Sequence, residues 1–521
     1  MKRFLATLFL AAICIIMIAD SCYADEYDIP NMTTAQLNEL KEKINKLLSN
    51  VSLLILDFSA IVNVDPVDFD VLMSCVIDSK ISTAVSGEFY ENYNVVINCE
   101  NEEQKNISKR AYDYLDTLQK NDLLYSITEI FDNRSIVNML GEKENVCYVF
   151  NGISEMSDAV LLKNGISKAI VVNNDGGLCV CESTQQVKAA AGNAVDSDAS
   201  GSGYFEIENL PEEGSTVFTK TGDVIKIGEI VGNGGEGTVY HCNYKTNYCV
   251  KIYHNGQLTK LRIKKMLMME KKQVRYDGLC WPEKVVYSPN GEPVGYVMKL
   301  IEGKSLSLVF DSYESVQEEF PHWSRQSLIR LAIEILNRIQ YLHLFGILIG
   351  DLRMNNIMLT PSGTPILVDL DSCQIGNLPC PAGFGDFTPA ELQSVEFGKH
   401  LRNYENESFA CAVLVFKILF CGLHPYDQRN GADSIEEEIV LKSFPYPIEA
   451  KGSFNRVVYG CYDEMWRKTP YQMQSFLYDI FKKGSRPNIQ TMIKMLKTYD
   501  KFIDKYKGGN LDINKISFEE E

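Results

Sequence analysis

Positive charge is what this chain is short of: 51 lysines and arginines face 69 aspartates and glutamates, for a net charge of −18. A surface of that sign disfavours non-specific binding to nucleic acid or to an anionic membrane, while leaving room for a local basic phosphate site. Long apolar runs are missing beyond the first two dozen residues, so no later segment reaches the ~20 apolar residues that span a bilayer. The 15 cysteines contain no C-x-x-C pair, which removes the usual thiolate metal framework. Cys179-Val180-Cys181 is too tightly spaced for an ordinary bridge, and setting aside Cys14 and Cys22 leaves an odd number of thiols. Scattered buried thiols are the expectation.

What is present is a 521-residue chain, 45% hydrophobic and 23% charged. At ~100–200 residues per domain this is enough for several globular units. The first residues, "MKRFLATLFLAAICIIMIADSCYADEYD", combine basic Lys2 and Arg3, an apolar run from Leu5 to Ala19, and small residues before a cut after Ala24. That is the anatomy of a cleaved export signal. The expectation is a secreted or periplasmic, soluble chain with no stable membrane insertion once residues 1–24 are removed.

Residues 25–187 read as a small α/β or α+β domain. "MTTAQLNELKEKINKLL" (Met32–Leu48) has Leu37, Leu40, Ile44 and Leu47 at helical spacing, with Thr33 or Thr34 as its cap. Apolar runs Val51–Leu56, Val95–Ile97, Val146–Phe150 and Ala169–Val172 suit buried strands, and Ile107–Ile130 suits a helix. Asp57-Phe58-Ser59 admits a metal-site loop, but Asp-x-Ser is common by chance, and this domain shows no catalytic constellation. "KAAAGNAVDSDASGSG" has linker composition, which assigns 188–214 to a linker.

After the linker the signal changes. "IGEIVGNGGEGTVYHC" holds Gly232-x-Gly234-x-x-Gly237 followed by Val239. A Rossmann unit would open a helix at the third glycine; β-branched and aromatic Thr238-Val239-Tyr240 place these glycines between two strands instead. Such a turn lets backbone N–H groups approach phosphates. "YCVKIYH" then puts Lys251 on a second strand, flanked by Val250 and Ile252, where it can reach α- and β-phosphates. "GYVMKLIEGKSL" reads as a strand entering a hinge, with Met298 at the back of a nucleotide pocket, Leu300 beside it, and Lys299 to Gly303 as the connection.

A long amphipathic helix, "SLIRLAIEILNRIQYLHLFG", leads into "IGDLRMNNIML" (Ile349–Leu359). This stretch resembles a protein-kinase catalytic loop, and the resemblance implies that Asp351 is the carboxylate that accepts a hydroxyl proton. Asn356, five residues on, offers a hard amide oxygen for Mg²⁺, and Arg353 can neutralise a γ-phosphate. "ILVDLDSCQ" ends an apolar strand in Asp369-Leu370-Asp371, making Asp369 a second metal ligand.

These elements resemble a eukaryotic-type protein kinase domain over residues 215–505, with 506–521 as a tail. More narrowly they resemble a bacterial branch marked by "GGEGTVY", "VKIYH", Trp281-Pro282, "IGD" (Ile349–Asp351) and D-x-D-S (Asp369–Ser372) in place of D-F-G. The resemblance implies an α+β, two-lobed kinase-like fold with a β-rich N-lobe and a helical C-lobe. It also implies ATP and Mg²⁺ as cofactors, and an acceptor that is a protein or a small molecule. Thr388–Leu392 ("TPAEL") stands where the activation segment closes, with Glu391 expected to pair with Arg486. Glu407 stands where an aspartate is usual.

The chain departs from the pattern in four places. The helix "LTKLRIKKMLMMEKK" has a single acid, Glu270, as candidate partner for Lys251. Cys249 replaces an alanine over the nucleotide base. Asp371 replaces a glycine. Ile349 and Gly350 replace a histidine and an arginine; the first is expected to fill core space, the second to remove a clamp on a phosphorylated segment. Active kinase, nucleotide-binding scaffold and small-molecule kinase all remain open at this level, the scaffold being favoured by export to a compartment poor in ATP.

Overall fold

The computed structural model describes residues 33–97, 102–127, 132–140, 143–163, 165–191, 207, 209–272, 274–428, 431–448 and 460–506. The export signal expected over residues 1–24 lies outside the described residues, as does nearly all of the 192–208 stretch. Among the described residues no helix is long and apolar enough to cross a membrane.

The first helix, α1 (Thr34–Leu48), is capped by Thr33 in a capping box with Gln36 and buries Leu40, Ile44, Leu47 and Leu48. It covers part of a six-stranded sheet: β1 (Leu53–Leu56), β2 (Ser82–Ser86), β3 (Leu124–Ile127), β4 (Val146–Asn151), β5 (Ala169–Val172) and β6 (Leu178–Cys181). The strand order is 3-2-1-4-5-6. All neighbours run parallel except β5 and β6. Period-2 alternation explains the two cores beside it. Leu54, Leu56, Cys147, Val149, Ile170 and Val172 point to one face, and Ile55, Tyr148, Phe150, Ala169 and Val171 to the other. A sheet buried on both faces requires continuous apolar strands, and "LLIL", "VCYVFN" and "AIVV" supply them.

Two expectations for this region are corrected. Val95–Ile97 is the end of a helix, α2 (Gly87–Ile97), whose Phe89, Asn92 and Val96 share the buried face. A three-residue β-branched run carries no period of its own, so packing decides it. The helix expected over Ile107–Ile130 is α3 (Glu102–Lys120), stopped by Asp122 in the left-handed region (φ 57°) before β3 begins.

A second body begins with a closed six-stranded barrel: β7 (Thr216–Phe218), β8 (Val224–Asn233), β9 (Gly237–Cys242), β10 (Tyr248–Tyr253), β11 (Lys284–Tyr287) and β12 (Pro293–Lys299). Ile207 is buried in its core, so the end of the compositional linker packs as part of the barrel. Helix α4 (Lys260–Lys272) lies against it. Helical structure follows, led by α5 (Arg325–Leu344), α6 (Tyr404–Leu419) and α7 (Ile489–Tyr506). The apolar face of the first sheet and the cores of α5, α6 and α7 belong to one contiguous buried cluster. Polar contacts stitch the same seam. Asn63 Nδ2 donates to Leu344 O at 2.7 Å, Gln340 Nε2 to Asn92 Oδ1 at 3.0 Å, and Arg134 pairs with Glu405 at 2.5 Å.

Within the barrel, Gly295 has no room for a side chain: a Cβ there would sit 1.9 Å from the Lys251 carbonyl oxygen. Gly295→Ala forces β10 and β12 apart, so a loss of about 1–3 kcal/mol is expected in thermal or urea unfolding. Gly235→Ala, where a Cβ meets nothing within 4 Å, should stay within about 0.5 kcal/mol of the parent.

Candidate active site

Strand β10 carries Lys251 opposite Val239 of β9 and Tyr296 of β12. The lysine is only 6% exposed, and its Nζ contacts Asp369 Oδ1 at 2.7 Å and Asp371 Oδ1 at 3.1 Å, with Glu236 Oε2 at 3.9 Å. Asp371 is fully buried. Its carboxylate also accepts from the hydroxyls of Tyr253 and of Tyr296 (2.9 Å), and lies 4.0 Å from Arg262 Nε. Burial alone would raise the Asp371 pKa, but Lys251, Arg262 and the Tyr253 hydroxyl outweigh it and hold the carboxyl well below its ordinary value. Lys251 is shifted upward in turn, burial being overcome by Asp371 and Asp369. Asp369 moves up, through burial and its neighbour Asp371, although Lys251 opposes the shift. One ammonium thus serves two carboxylates, Asp369 the nearer and Asp371 the deeper.

Asp369 sits in the left-handed region at φ 58°, an uncommon conformation for a non-glycine residue. It begins the short 3-10 turn Leu370–Ser372 that carries Asp371 inward. On the neighbouring loop, Asn356 Nδ2 donates to the Asp351 carboxylate at 3.1 Å and to its carbonyl at 3.0 Å. That leaves the Asn356 amide oxygen for another partner. The Asn356 carbonyl accepts from Val368 N–H at 2.9 Å, which ties this loop to the strand preceding Asp369. Arg353 Nε lies 3.4 Å from Asp351 Oδ2, and its guanidinium sits 5.2 Å above the Phe384 ring.

The glycine turn splits into two kinds of position. Cβ atoms at Gly232, Gly234 and Gly235 would meet open space or a single atom at 3.7 Å, whereas at Gly237 one would strike the Ile252 carbonyl at 2.5 Å. The first three leave backbone open for a ligand; the last lets β9 approach β10. Val239 is half-buried. Cys249 is buried with its Sγ 3.7 Å from the Met298 and Lys299 carbonyls, and burial pushes its thiol up to about 12. It is a packing residue at the hinge. Met298 is half-buried, and Leu300 N–H donates to Asn247 O at 2.8 Å.

Glu270 is not the partner of Lys251. It lies in the last turn of α4, about two turns beyond Arg262, and faces β11, where it pairs with Lys284 at 3.3 Å and accepts from Val285 N–H. The part of α4 that faces Lys251's carboxylates presents Arg262, paired with Glu236 at 2.6 Å. One turn on, Lys265 donates to the Ser372 carbonyl at 2.8 Å; burial lowers its pKa to about 8. The polarity of the expected pair is reversed: the helix carries the cations and Asp371 carries the acid. Sequence reasoning omitted Asp371, Glu236 and Arg262 from the site. The D-x-D spelling, together with a lysine-rich helix, was the available signal.

The catalytic-loop substitutions also find their reasons. Ile349 is buried, as expected of an apolar filler. Its N–H and that of Gly350 each donate to the Glu407 carboxylate at 2.9 Å, and Glu407 also meets His343 Nε2 at 2.9 Å. Gly350 does more than remove a clamp. It has φ 71°, and a Cβ would lie 2.6 Å from Cys380 Cβ and 3.0 Å from Arg402 Nη1. Arg402 donates to the Cys380 and Ala382 carbonyls at 2.9 and 2.6 Å and stacks on Phe397. The Ser372–Thr388 segment is therefore pinned by an arginine from outside the loop, without a phosphate. Arg486 meets Glu391 at 3.5 Å.

The oxygen chemistry of the site fits a hard cation. Glu236, Asp369 and Asp371 form the one group of three such ligand atoms within 4.8 Å among the described residues, and carboxylate and amide oxygens suit Mg²⁺. An open glycine turn, a buried lysine, an Asp–Asn pair and a metal-competent aspartate define a protein-kinase-like domain. Curated proteins point the same way. The chain is 30% identical over 242 residues to "Protein kinase YegI" of Escherichia coli O157:H7, a match covering 44% of this chain and 38% of that protein, and equally similar to its K12 counterpart. It is 24% identical over 173 residues to the "Probable serine/threonine-protein kinase kinY" of Dictyostelium discoideum, covering 30% of each. The chain thus spans little more than a third of the length of the first relatives it matches. No protein-family model matches it.

Removing the Asp371 charge should unfold the site before it alters chemistry. Its folded-state pKa lies below the ordinary 3.8. The stabilisation is therefore fully present above that unfolded value and lost as pH falls through the depressed one. Asp371→Asn is expected to cost about 3–5 kcal/mol at pH 7, by stranding buried Lys251 and Arg262. It should also flatten the acid limb of a stability-versus-pH curve measured by denaturant melts.

Proposed function

We propose that this chain is an ATP-dependent phosphotransferase, a protein kinase of Ser/Thr type, working at the junction of a barrel lobe and a helical lobe. The observation that carries this reading is the contact of buried Lys251 with Asp369, whose strand is joined through Val368 N–H to the Asn356 carbonyl of the loop holding the Asp351–Asn356 pair. In this reading the open backbone at Gly232 and Gly234 receives phosphates, and Met298 and Leu300 border the base. Asn356 and Asp369 would hold Mg²⁺ through their side-chain oxygens. When bound, Mg-ATP supplies the transferable phosphoryl group and much of the charge compensation for its transfer.

The protein's own part is positioning and proton handling. Asp351 is oriented by the Asn356 amide and by Arg353, which leaves it aligned to accept a hydroxyl proton from the acceptor. Lys251, kept charged by Asp371 and Asp369, would meet the phosphates, while Asp371 holds its other side. Glu407 fixes the loop backbone from beneath. Pinning by Arg402 makes phosphorylation of the activation segment unnecessary. Residues 1–24 enter the same proposal as an export signal, and intact mass of the chain recovered from its source should then correspond to a start at Asp25.

A nucleotide-binding scaffold is the second reading, favoured by one observation: Lys251 is already bracketed by two carboxylates, with no acid from α4 to reposition it. The two separate in one experiment. Mg-ATP should raise the melting temperature of the parent and of Asp351→Asn, but not of Asp369→Ala. Transfer of labelled γ-phosphate to a protein acceptor should fall by about 10²–10⁴-fold in Asp351→Asn, the usual share of a general base. No thermal shift with Mg-ATP would favour the scaffold, and a shift with no transfer to any protein would favour a small-molecule kinase.

A further inference from the structure

Outside the kinase-like site, the most unusual chemistry lies at the seam between the first sheet and the helices. In the order 3-2-1-4-5-6 the chain reverses its direction of travel between β1 and β4. The crevice outside the carboxyl ends of such strands is where open α/β sheets bind ligands. Here that crevice is roofed by α5 and α6. It holds a cavity of about 280 Å³, bordered by Glu88, Asp132, Arg134, Glu155, Asp158 and Tyr404 among others. Behind it is a blind pocket of about 20 Å³ that shares Glu88, Glu155 and Tyr404.

The blind pocket is a chamber of acceptors. Asp57, which follows β1, is 3% exposed; Glu88, which follows β2, is 2% exposed. Neither has a lysine or arginine partner among the described residues. Asp57 receives the Ser59 hydroxyl and N–H and Asn133 Nδ2, and Glu88 receives the Asn133 N–H and faces the Glu155 carboxyl; burial and that neighbour raise the Glu88 pKa. Glu155, at the start of the helix after β4, receives Asn488 Nδ2 at 3.4 Å. From the opposite wall come two buried polar atoms without any hydrogen-bond partner, His343 Nδ1 and Gln340 Oε1. His343 Nε2 faces the Glu407 carboxylate, which places the proton of a singly protonated ring there and makes Nδ1 an acceptor. Gln340 spends its Nε2 on Asn92. Orphaned buried acceptors of this kind cost about 1–3 kcal/mol each, and two beside carboxylates call for a donor carrying positive charge.

We infer that this chamber is a binding site for a small organic cation, a primary ammonium seated in the blind pocket with its stem in the larger cavity. The size suits it: a pocket needs roughly 10–15 Å³ to hold one water-sized group, and an ammonium head is of that size. A bare metal suits it less, because the chamber's carboxylate and imidazole atoms form no group of three within 4.8 Å; among the described residues that arrangement occurs only at Glu236, Asp369 and Asp371. The location gives occupancy a consequence. Tyr404 N–H donates to Asp158 at 3.0 Å and its hydroxyl to Ile153 O at 3.1 Å. His343, which lines the chamber, shares Glu407 with the catalytic-loop backbone. The ligand head would sit one hydrogen bond from the anchor of that loop.

The test uses the full chain carrying Asp369→Asn, without nucleotide, so that neither the metal site nor the kinase reading enters. Putrescine is the probe, 1,4-butanediol its neutral counterpart, and Mn²⁺ a separate arm, each followed by thermal shift and titration calorimetry. The expected result is a melting-temperature rise of about 2–4 °C at saturating putrescine. Butanediol should give none, and the rise should be lost in Glu88→Gln and in the more accessible Glu155→Gln. Three results would overturn the inference: no heat and no shift with putrescine, a shift that survives in both glutamine variants, or a response to Mn²⁺ alone that these variants abolish.

Discussion

Everything near the kinase-like site is arranged around one buried carboxylate. Asp371 has no contact with solvent, and its two oxygens are shared among Lys251, Tyr253 and Tyr296, with Arg262 alongside. Those partners come from β10, β12 and α4, so a single side chain joins the barrel, its covering helix and the loop bearing Asp369. A buried ion group of this sort contributes less to net stability than its Coulomb energy suggests, since each charge has been stripped of water. Its value is geometric. The strands, the helix and the Asp369 loop can satisfy one another in a single arrangement only, and Lys251 is fixed by it.

A second carboxylate does the same work beneath the catalytic loop. Glu407, at the start of α6, accepts two backbone N–H groups of Ile349 and Gly350 and the His343 ring. The loop therefore depends on the helix, and the helix N-terminus depends on the first sheet through Tyr404, Asp158 and Ile153. The two bodies also share one apolar cluster. In mechanical terms the first sheet belongs to the catalytic loop's foundation, and the acceptor-lined chamber lies inside that foundation.

Much of this was legible in the primary structure, for reasons that differ element by element. The strands "LLIL", "VCYVFN" and "AIVV" announced themselves because a sheet buried on both faces needs unbroken apolar runs. Val95–Ile97 misled because three β-branched residues fit a helix face as readily as a strand. At the site, the glycine turn, Lys251, Asp351, Asn356 and Asp369 stood out because phosphate and metal chemistry calls for particular residue types at particular spacings. Glu270 misled because it was the one acid on its helix, and composition cannot say which face an acid occupies. Arg402 left no local signal, since it acts on Cys380 and Ala382 from a separate loop.

The sequence by itself determined the chemical alphabet of the site and the order of its parts. Residue type and spacing are local properties, and phosphate and metal ligands are drawn from a narrow set. Tertiary structure alone decided how the charges are paired. It put Asp371 beneath Lys251 where a helix acid was expected, and it required glycine at position 350 through a positive φ and the nearness of Cys380. It also enclosed Asp57, Glu88 and Glu155 against His343 and Gln340. Pairing depends on distance and burial, and both are set by which surfaces of a folded chain meet, long after the local pattern has been spent.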